Sequence, residues 1–120
     1  MRRILLIAAL LGGMLLPQPG FAQLREGQYG VEGNNPDGSA YTGQLRLQAL
    51  PNGAWYVVWQ VGDSQLAGVG VIRSGVLAIG FAQQGRPGVI AYEVEADGKL
   101  HGFWTTGDGI GTEVLTPQEG

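Results

Sequence analysis

Four short segments share the form X-Asp/Asn-Gly: Pro36-Asp37-Gly38, Pro51-Asn52-Gly53, Ala96-Asp97-Gly98 and Gly107-Asp108-Gly109. Each suits a three-residue hairpin loop, a type I turn followed by a glycine in the left-handed conformation that makes a bulge. Proline at the first loop position of two of them supplies the φ that such a turn wants. A loop of set length also sets which flanking residues face each other. Around 51–53 the rule puts Ala49 opposite Trp55, Leu47 opposite Val57 and Leu45 opposite Trp59. Around 36–38 it puts Tyr41 opposite Gly33, Gly43 opposite Val31 and Leu45 opposite Tyr29. Around 96–98 it pairs Val94 with Leu100, Tyr92 with Gly102 and Ile90 with Trp104. Around 107–109 it pairs Trp104 with Thr112 and Gly102 with Val114. The four loops agree on one inside.

The centre of that inside is the stretch Ala54 to Gly62, which holds two of the three tryptophans. Trp55, Val57, Trp59 and Val61 alternate with Tyr56, Val58 and Gln60, and period two in aromatic and β-branched residues marks a strand. Leu66 to Arg73 and Val76 to Ala82 are also strands. An Arg73-Ser74-Gly75 loop between them matches the other loops and places Val69 and Val71 inside. A two-residue Ser74-Gly75 turn would place Gly68 and Gly70 there instead; the first choice fills the core better. Gln83 to Pro87 reads as the longest, polar loop, and the residues after Thr116 as a frayed tail. The expected strands are 27–33, 40–49, 54–61, 66–72, 76–82, 88–95, 99–105 and 110–116. Short strands at even spacing predict an all-β, antiparallel up-and-down meander. Closing it into a small calycin-like barrel removes the edge strands. A β-sandwich is the alternative architecture.

The first 22 residues stand apart from this pattern. Arg2 and Arg3 precede an apolar run from Ile4 to Leu16, and the segment ends in Gly20-Phe21-Ala22. That is the form of a secretory signal peptide cleaved after Ala22, leaving a single domain over 23–120. The run is short for a membrane span, and no second span is expected after cleavage. The absence of cysteine removes disulfides from the fold and suits an exported bacterial protein, periplasmic or extracellular. Removing Arg2 and Arg3 from the seven basic residues leaves five against ten acidic ones, a net charge of −5. Such a balance argues against nucleic acid and against anionic lipid as partners.

The chain offers little for catalysis, and no catalytic residue, cofactor site or metal site is expected. His101, the single histidine, falls on the outward face beside Glu93. Ser39, Ser64 and Ser74 sit in turns with no nucleophile-elbow sequence around them. Carboxylates that could pair are Glu93, Glu95 and Glu113, and strand alternation points Glu93 and Glu95 outward together as a solvated face. One histidine and no cysteine exclude the usual zinc sets. Asn34, Asn35, Asp37 and Asp108 lack the ligand spacing of a dedicated calcium loop. The glycine-rich run 107–111 has neither the lysine nor the helix of a phosphate loop.

Two surfaces remain for binding. The barrel interior takes Tyr29, Tyr41, Leu45, Trp55, Trp59, Phe81, Ile90, Tyr92 and Trp104, enough volume to fill a shallow lumen. If room is left, a lipocalin- or avidin-like pocket for a small apolar ligand would be lined by Trp55, Trp59, Tyr92 and Trp104. On the outside, Tyr56, Val58 and Gln60 on the third strand and Val76 and Ala78 on the fifth carry no charge. With the fourth strand between them they form a contiguous uncharged face, which predicts a protein partner or self-association.

Much of the chain after Ala22 resembles a known group. The matching runs are Trp55-Tyr56-Val57-Val58-Trp59, Gly68-Val69-Gly70-Val71, Leu77-Ala78-Ile79-Gly80, Tyr92-Glu93-Val94, Asp97-Gly98-Lys99-Leu100-His101-Gly102-Phe103-Trp104 and Gly111-Thr112-Glu113-Val114-Leu115. They resemble small secreted bacterial β-proteins that are described as fibronectin-binding or as uncharacterised. The resemblance implies the fold and a binding role, and it carries over no catalytic residue.

Overall fold

The computed structural model describes residues 23–118. The signal peptide expected over 1–22 lies outside the described residues. Eight antiparallel strands run in chain order around a closed barrel, and β8 pairs back onto β1. They are β1 (Gly27–Asn34), β2 (Ala40–Ala49), β3 (Trp55–Val61), β4 (Ser64–Arg73), β5 (Val76–Gln83), β6 (Arg86–Val94), β7 (Leu100–Thr105) and β8 (Gly111–Pro117). The closing β1–β8 ladder excludes the sandwich. It also extends the last strand past Thr116, because Tyr29 pairs with Pro117 and the Gln118 N–H bonds to the Gln28 carbonyl at 2.9 Å. Of the expected frayed tail, Pro117 is therefore strand and Gln118 is tied to Gln28 by a backbone bond.

Three of the four Asx-Gly loops repeat one set of bonds. Asn35, Leu50 and Glu95 each accept from the glycine N–H three residues on, and each donates to the carbonyl four residues on. In each loop the Asp or Asn side chain accepts from the N–H two residues further: Asp37 from Ser39, Asn52 from Ala54 and Asp97 from Lys99. Gly38, Gly53 and Gly98 hold φ near +90°, where a side chain would strain the backbone. The pairings expected from these three loops are the pairings present.

The other turns depart from expectation. Ser74 and Gly75 take φ of 53° and 79°, the pattern of a two-residue type I′ turn, and Arg73 pairs with Val76. Gly68 and Gly70 therefore face inward, while Val69 and Val71 face solvent. The reason is steric. A Cβ at Gly68 would lie 2.6 Å from the Gly80 carbonyl oxygen, and one at Gly70 would lie closer still to that of Ala78. The backbone of β5 and the Ile79 side chain come so close there that only glycine fits. Gln84 and Gly85 make a second two-residue turn, φ 51° and 80°, so 83–87 is a tight hairpin and not a long loop. The loop around Asp108 is longer than three residues. Thr105 Oγ1 accepts from the Gly107 N–H and donates to the Gly109 carbonyl. Trp104 consequently faces Gly111, and Gly102 faces Glu113. That one-residue slip turns Thr112 and Val114 outward and carries Glu113 into the barrel.

The core consists of Leu24, Tyr29, Val31, Leu45, Leu47, Val57, Trp59, Leu77, Ile79, Ile90, Tyr92, Leu100 and Leu115. Inward aromatics lie over glycines on the next strand: Tyr41 over Gly33, Phe81 over Gly88, Tyr92 over Gly102 and Trp104 over Gly111. This pairing lets large rings pack in a narrow barrel, and each ring covers backbone that glycine leaves bare. One end of the barrel is closed by the segment before β1. Leu24 is buried there, the Tyr29 hydroxyl donates to the Arg25 carbonyl at 2.5 Å, and Glu26 accepts from the Ala49 N–H at 2.7 Å.

Candidate functional site

The opposite end is open. It is framed by the β1–β2, β3–β4, β5–β6 and β7–β8 connections, and beneath them lies a cavity of about 180 Å³. Its walls are Tyr41, Trp59, Val61, Leu66, Phe81, Ile90 and Trp104, its rim carries Asn35, Ser64 and Gln83, and Glu113 supplies a carboxylate. The rings brace one another edge to face. Trp59 and Phe81 have centroids 5.5 Å apart at 60°, and Tyr41 and Trp104 are 6.4 Å apart at 65°. The volume left here corrects the expectation of a filled lumen. The rings of Tyr41, Phe81 and Trp104 lean onto the glycines at 33, 88 and 111, and the space remains between the rings.

Glu113 is 4% exposed and is the one buried charged residue among those described. Three donors converge on it. Tyr41 donates to Oε1 at 2.6 Å, Trp59 Nε1 donates to Oε2 at 3.1 Å, and the Tyr92 hydroxyl donates to Oε2 in a short contact. Two glycines make this convergence possible. Gly33 on β1 and Gly102 on β7 are the ladder neighbours of Glu113 on either side. Tyr41 and Tyr92 lie one strand further out, opposite those same glycines. The row Tyr41–Gly33–Glu113–Gly102–Tyr92 thus crosses five strands, and each hydroxyl reaches the carboxylate over a residue without a side chain. Burial, and then the charge and hydrogen bond of Glu113, hold both phenols well above the ordinary tyrosine value. They stay protonated and act as donors.

Trp104 Nε1 is buried in the cavity wall and has no hydrogen-bond partner among the described residues. At the rim, Arg86 pairs with Asp108 at 2.8 Å and donates to the Thr106 carbonyl at 3.1 Å. This ties the β5–β6 turn to the β7–β8 loop. The Arg86 hydrogen bond and charge hold the Asp108 carboxyl below its usual range, and the two Ser39 hydrogen bonds do the same for Asp37.

The pocket residues expected from sequence divide between places. Trp59 and Trp104 line the cavity. Tyr92 lies beneath, fully buried, and reaches the site through Glu113. Trp55 lies at the opposite end, beside Leu24 and Ala49, and takes no part in the cavity. Tyr56, Val58, Gln60, Val76 and Ala78 do face outward, on a surface that Val69, Val71, Val89 and Phe103 extend. His101 faces outward opposite Glu93, away from the cavity. No cluster of three or more His, Cys, Asp or Glu side chains suited to a metal occurs among the described residues.

Glu113 is the residue that sequence reasoning missed. A signal for it was present: inward tyrosines and tryptophans need hydrogen-bond partners when buried, and Glu113 serves Tyr41, Tyr92 and Trp59.

No family model matches the chain, and no curated protein matches it. Solved structures do. A redesigned β-barrel aligns with a TM-score of 0.64 at 21% identity, over 82% of this chain and 99% of its own. A de novo designed fluorescence-activating β-barrel aligns with a TM-score of 0.56 at 15% identity, over 81% of this chain and 96% of its own. At these identities the likeness establishes the fold alone.

Proposed function

We propose that this is an exported, non-catalytic binding protein that carries a small molecule in the open end of its barrel. The observation behind this reading is an aromatic cavity that has the buried Glu113 carboxylate in its lining and Trp104, whose Nε1 has no hydrogen-bond partner among the described residues, in its wall. Binding sites of small molecules combine apolar walls with a few placed polar groups in this way. A cavity of about 150 Å³ in another protein holds benzene. The space here, about 180 Å³, suits a molecule of that size or slightly larger. The segment around Leu24 packs across the other end of the barrel, away from this cavity. Native mass spectrometry of the protein isolated without denaturation tests the reading. A small adduct that disappears in Leu66→Trp, which fills the cavity, supports it. An adduct retained in that variant would place the ligand elsewhere.

The outer face supports a second reading, contact with a protein partner or another copy of the chain. Val69, Val71, Val89 and Phe103 are each at least half exposed. They join in register through Gly80 next to Val69 and Val89, and through Ala78 and Ala91 between Val71 and Phe103. Charged side chains at Val71 and Phe103 would abolish such an association and leave the inward residues untouched. Sedimentation that is identical for Val71→Lys/Phe103→Lys and the parent would remove self-association.

A further inference from the structure

We infer that the ligand is a small organic cation, an ammonium carried on an apolar body, held between the Glu113 carboxylate and the aromatic wall. This rests on the reading of the cavity as a binding site and adds the charge of what fills it.

The first ground is the state of Glu113. It is buried, yet among the described residues no basic side chain lies within ion-pair distance of it; the ion pair present there is Arg86–Asp108, at the rim. Its partners are two phenols and an indole, neutral groups that donate hydrogen bonds without cancelling charge. A buried charge without a counter-charge is costly, and a cation placed against it removes that cost. A carboxylate offers about four lone-pair positions. Three are occupied here, and Oε1, which accepts from Tyr41 alone, retains one. An ammonium N–H can take it.

The second ground is the wall. Trp59, Trp104, Tyr41 and Phe81 present four π systems around the space next to that carboxylate. Ring faces attract cations, and more strongly where water is excluded. An anion would meet a carboxylate of like sign in the same lining.

The third ground is the rim. Asp37, Asp63 and Asp108 stand exposed in three of the four connections at this end, and Arg86 is the basic residue beside them. With Glu113, the open end holds four carboxylates against one guanidinium. At the closed end Arg25, Arg73 and Lys99 offset Glu26, Glu95 and Asp97. The field at the entrance therefore draws cations in.

The test is a charge series on one shape: benzylamine, benzyl alcohol and benzoate, titrated calorimetrically into the parent chain at neutral pH. Benzylamine should bind about tenfold or more tightly than benzyl alcohol, and benzoate should not bind. Glu113→Gln should remove the preference for the amine. Because that variant can also disturb folding, the parent series stands as a test by itself, with Trp104→Leu as a second variant that should weaken the amine more than the alcohol. Equal binding of amine and alcohol would overturn the cation inference and leave the pocket reading intact. Tighter binding of benzoate would overturn it as well. Failure of every member of the series to bind would overturn both.

Discussion

Tyr41 donates to Glu113 at 2.6 Å from two strands away, passing over Gly33, the residue that lies between them in the ladder. The same relation holds on the other side, where Tyr92 reaches Glu113 over Gly102. The glycines are as much a part of the site as the side chains that meet across them. A Cβ at Gly33 would collide with the Tyr41 ring, and one at Gly102 would stand 2.6 Å from the Tyr92 ring.

Gly33→Ala and Gly102→Ala should therefore each destabilise the fold by about 2–4 kcal/mol, from overpacking together with a lost hydrogen bond. Gly80→Ala is the control. Gly80 faces outward, has no positive φ, and would leave an added Cβ with nothing within 4 Å. Its replacement should be neutral or stabilising by up to about 1 kcal/mol. Urea denaturation of the three variants checks this. Similar losses in all of them would mean that glycine is needed for the strands generally and not for the tyrosine row.

Removing the carboxylate should cost more than removing either phenol. Glu113→Ala leaves the Tyr41, Tyr92 and Trp59 donors without their acceptor and opens a void, a loss of about 3–5 kcal/mol. Tyr92→Phe and Tyr41→Phe each remove one bond, at about 1–2 kcal/mol. Denaturation midpoints give the order. A Glu113→Ala protein as stable as the parent would mean that the buried charge costs what its three bonds return.

Stability should fall in alkali. In the unfolded chain the phenols of Tyr41 and Tyr92 ionise near pH 10. In the fold both are held higher, by burial first and by Glu113 second. A raised folded value means that the contribution is fully present below about pH 10 and is lost as the pH climbs from there toward the folded value. Between those limits the unfolded state has released protons that the folded state keeps, so the unfolding free energy drops by about 1.4 kcal/mol per pH unit for each tyrosine. Denaturation at pH 9 and 11 should show the drop, and Tyr41→Phe/Tyr92→Phe should reduce it, leaving the part due to Tyr29, which burial also holds above its ordinary value. A slope unchanged in that variant would assign the alkaline loss to other groups.

Much of this architecture is legible in the chain, and the division follows turn chemistry. Where the loop is X-Asx-Gly with an Asx side chain bonded two residues on, as at Asp37, Asn52 and Asp97, the register follows from local sequence. At Asp108 the same letters form a different loop, because Thr105 caps the turn and Arg86 draws the aspartate away. At Ser74 and Gln84 a non-glycine residue takes a positive φ, which propensity alone does not reveal. Both departures in register repeat a pairing already visible in two hairpins, a large inward ring opposite glycine, although Trp59 and Tyr29 sit opposite Leu45 instead. Tyr41 faces Gly33 and Tyr92 faces Gly102, so Trp104 belongs opposite Gly111 and not Thr112, and Phe81 belongs between Gly68 and Gly88. With that correction Glu113 turns inward and the site assembles. What the ladder cannot reveal is the void itself, which depends on how far each ring leans over its glycine.

The tryptophans supply the most direct measurement. Trp59 and Trp104 line the cavity, and Trp55 belongs to the closed end. In a ¹⁵N-labelled sample the three indole N–H groups resolve as separate signals. Titration with benzylamine should move the Trp59 and Trp104 signals, Trp104 most because its N–H is unpartnered, and should leave Trp55 in place. Movement of Trp55 alone, or of none of the three, would contradict a binding site at the open end of the barrel.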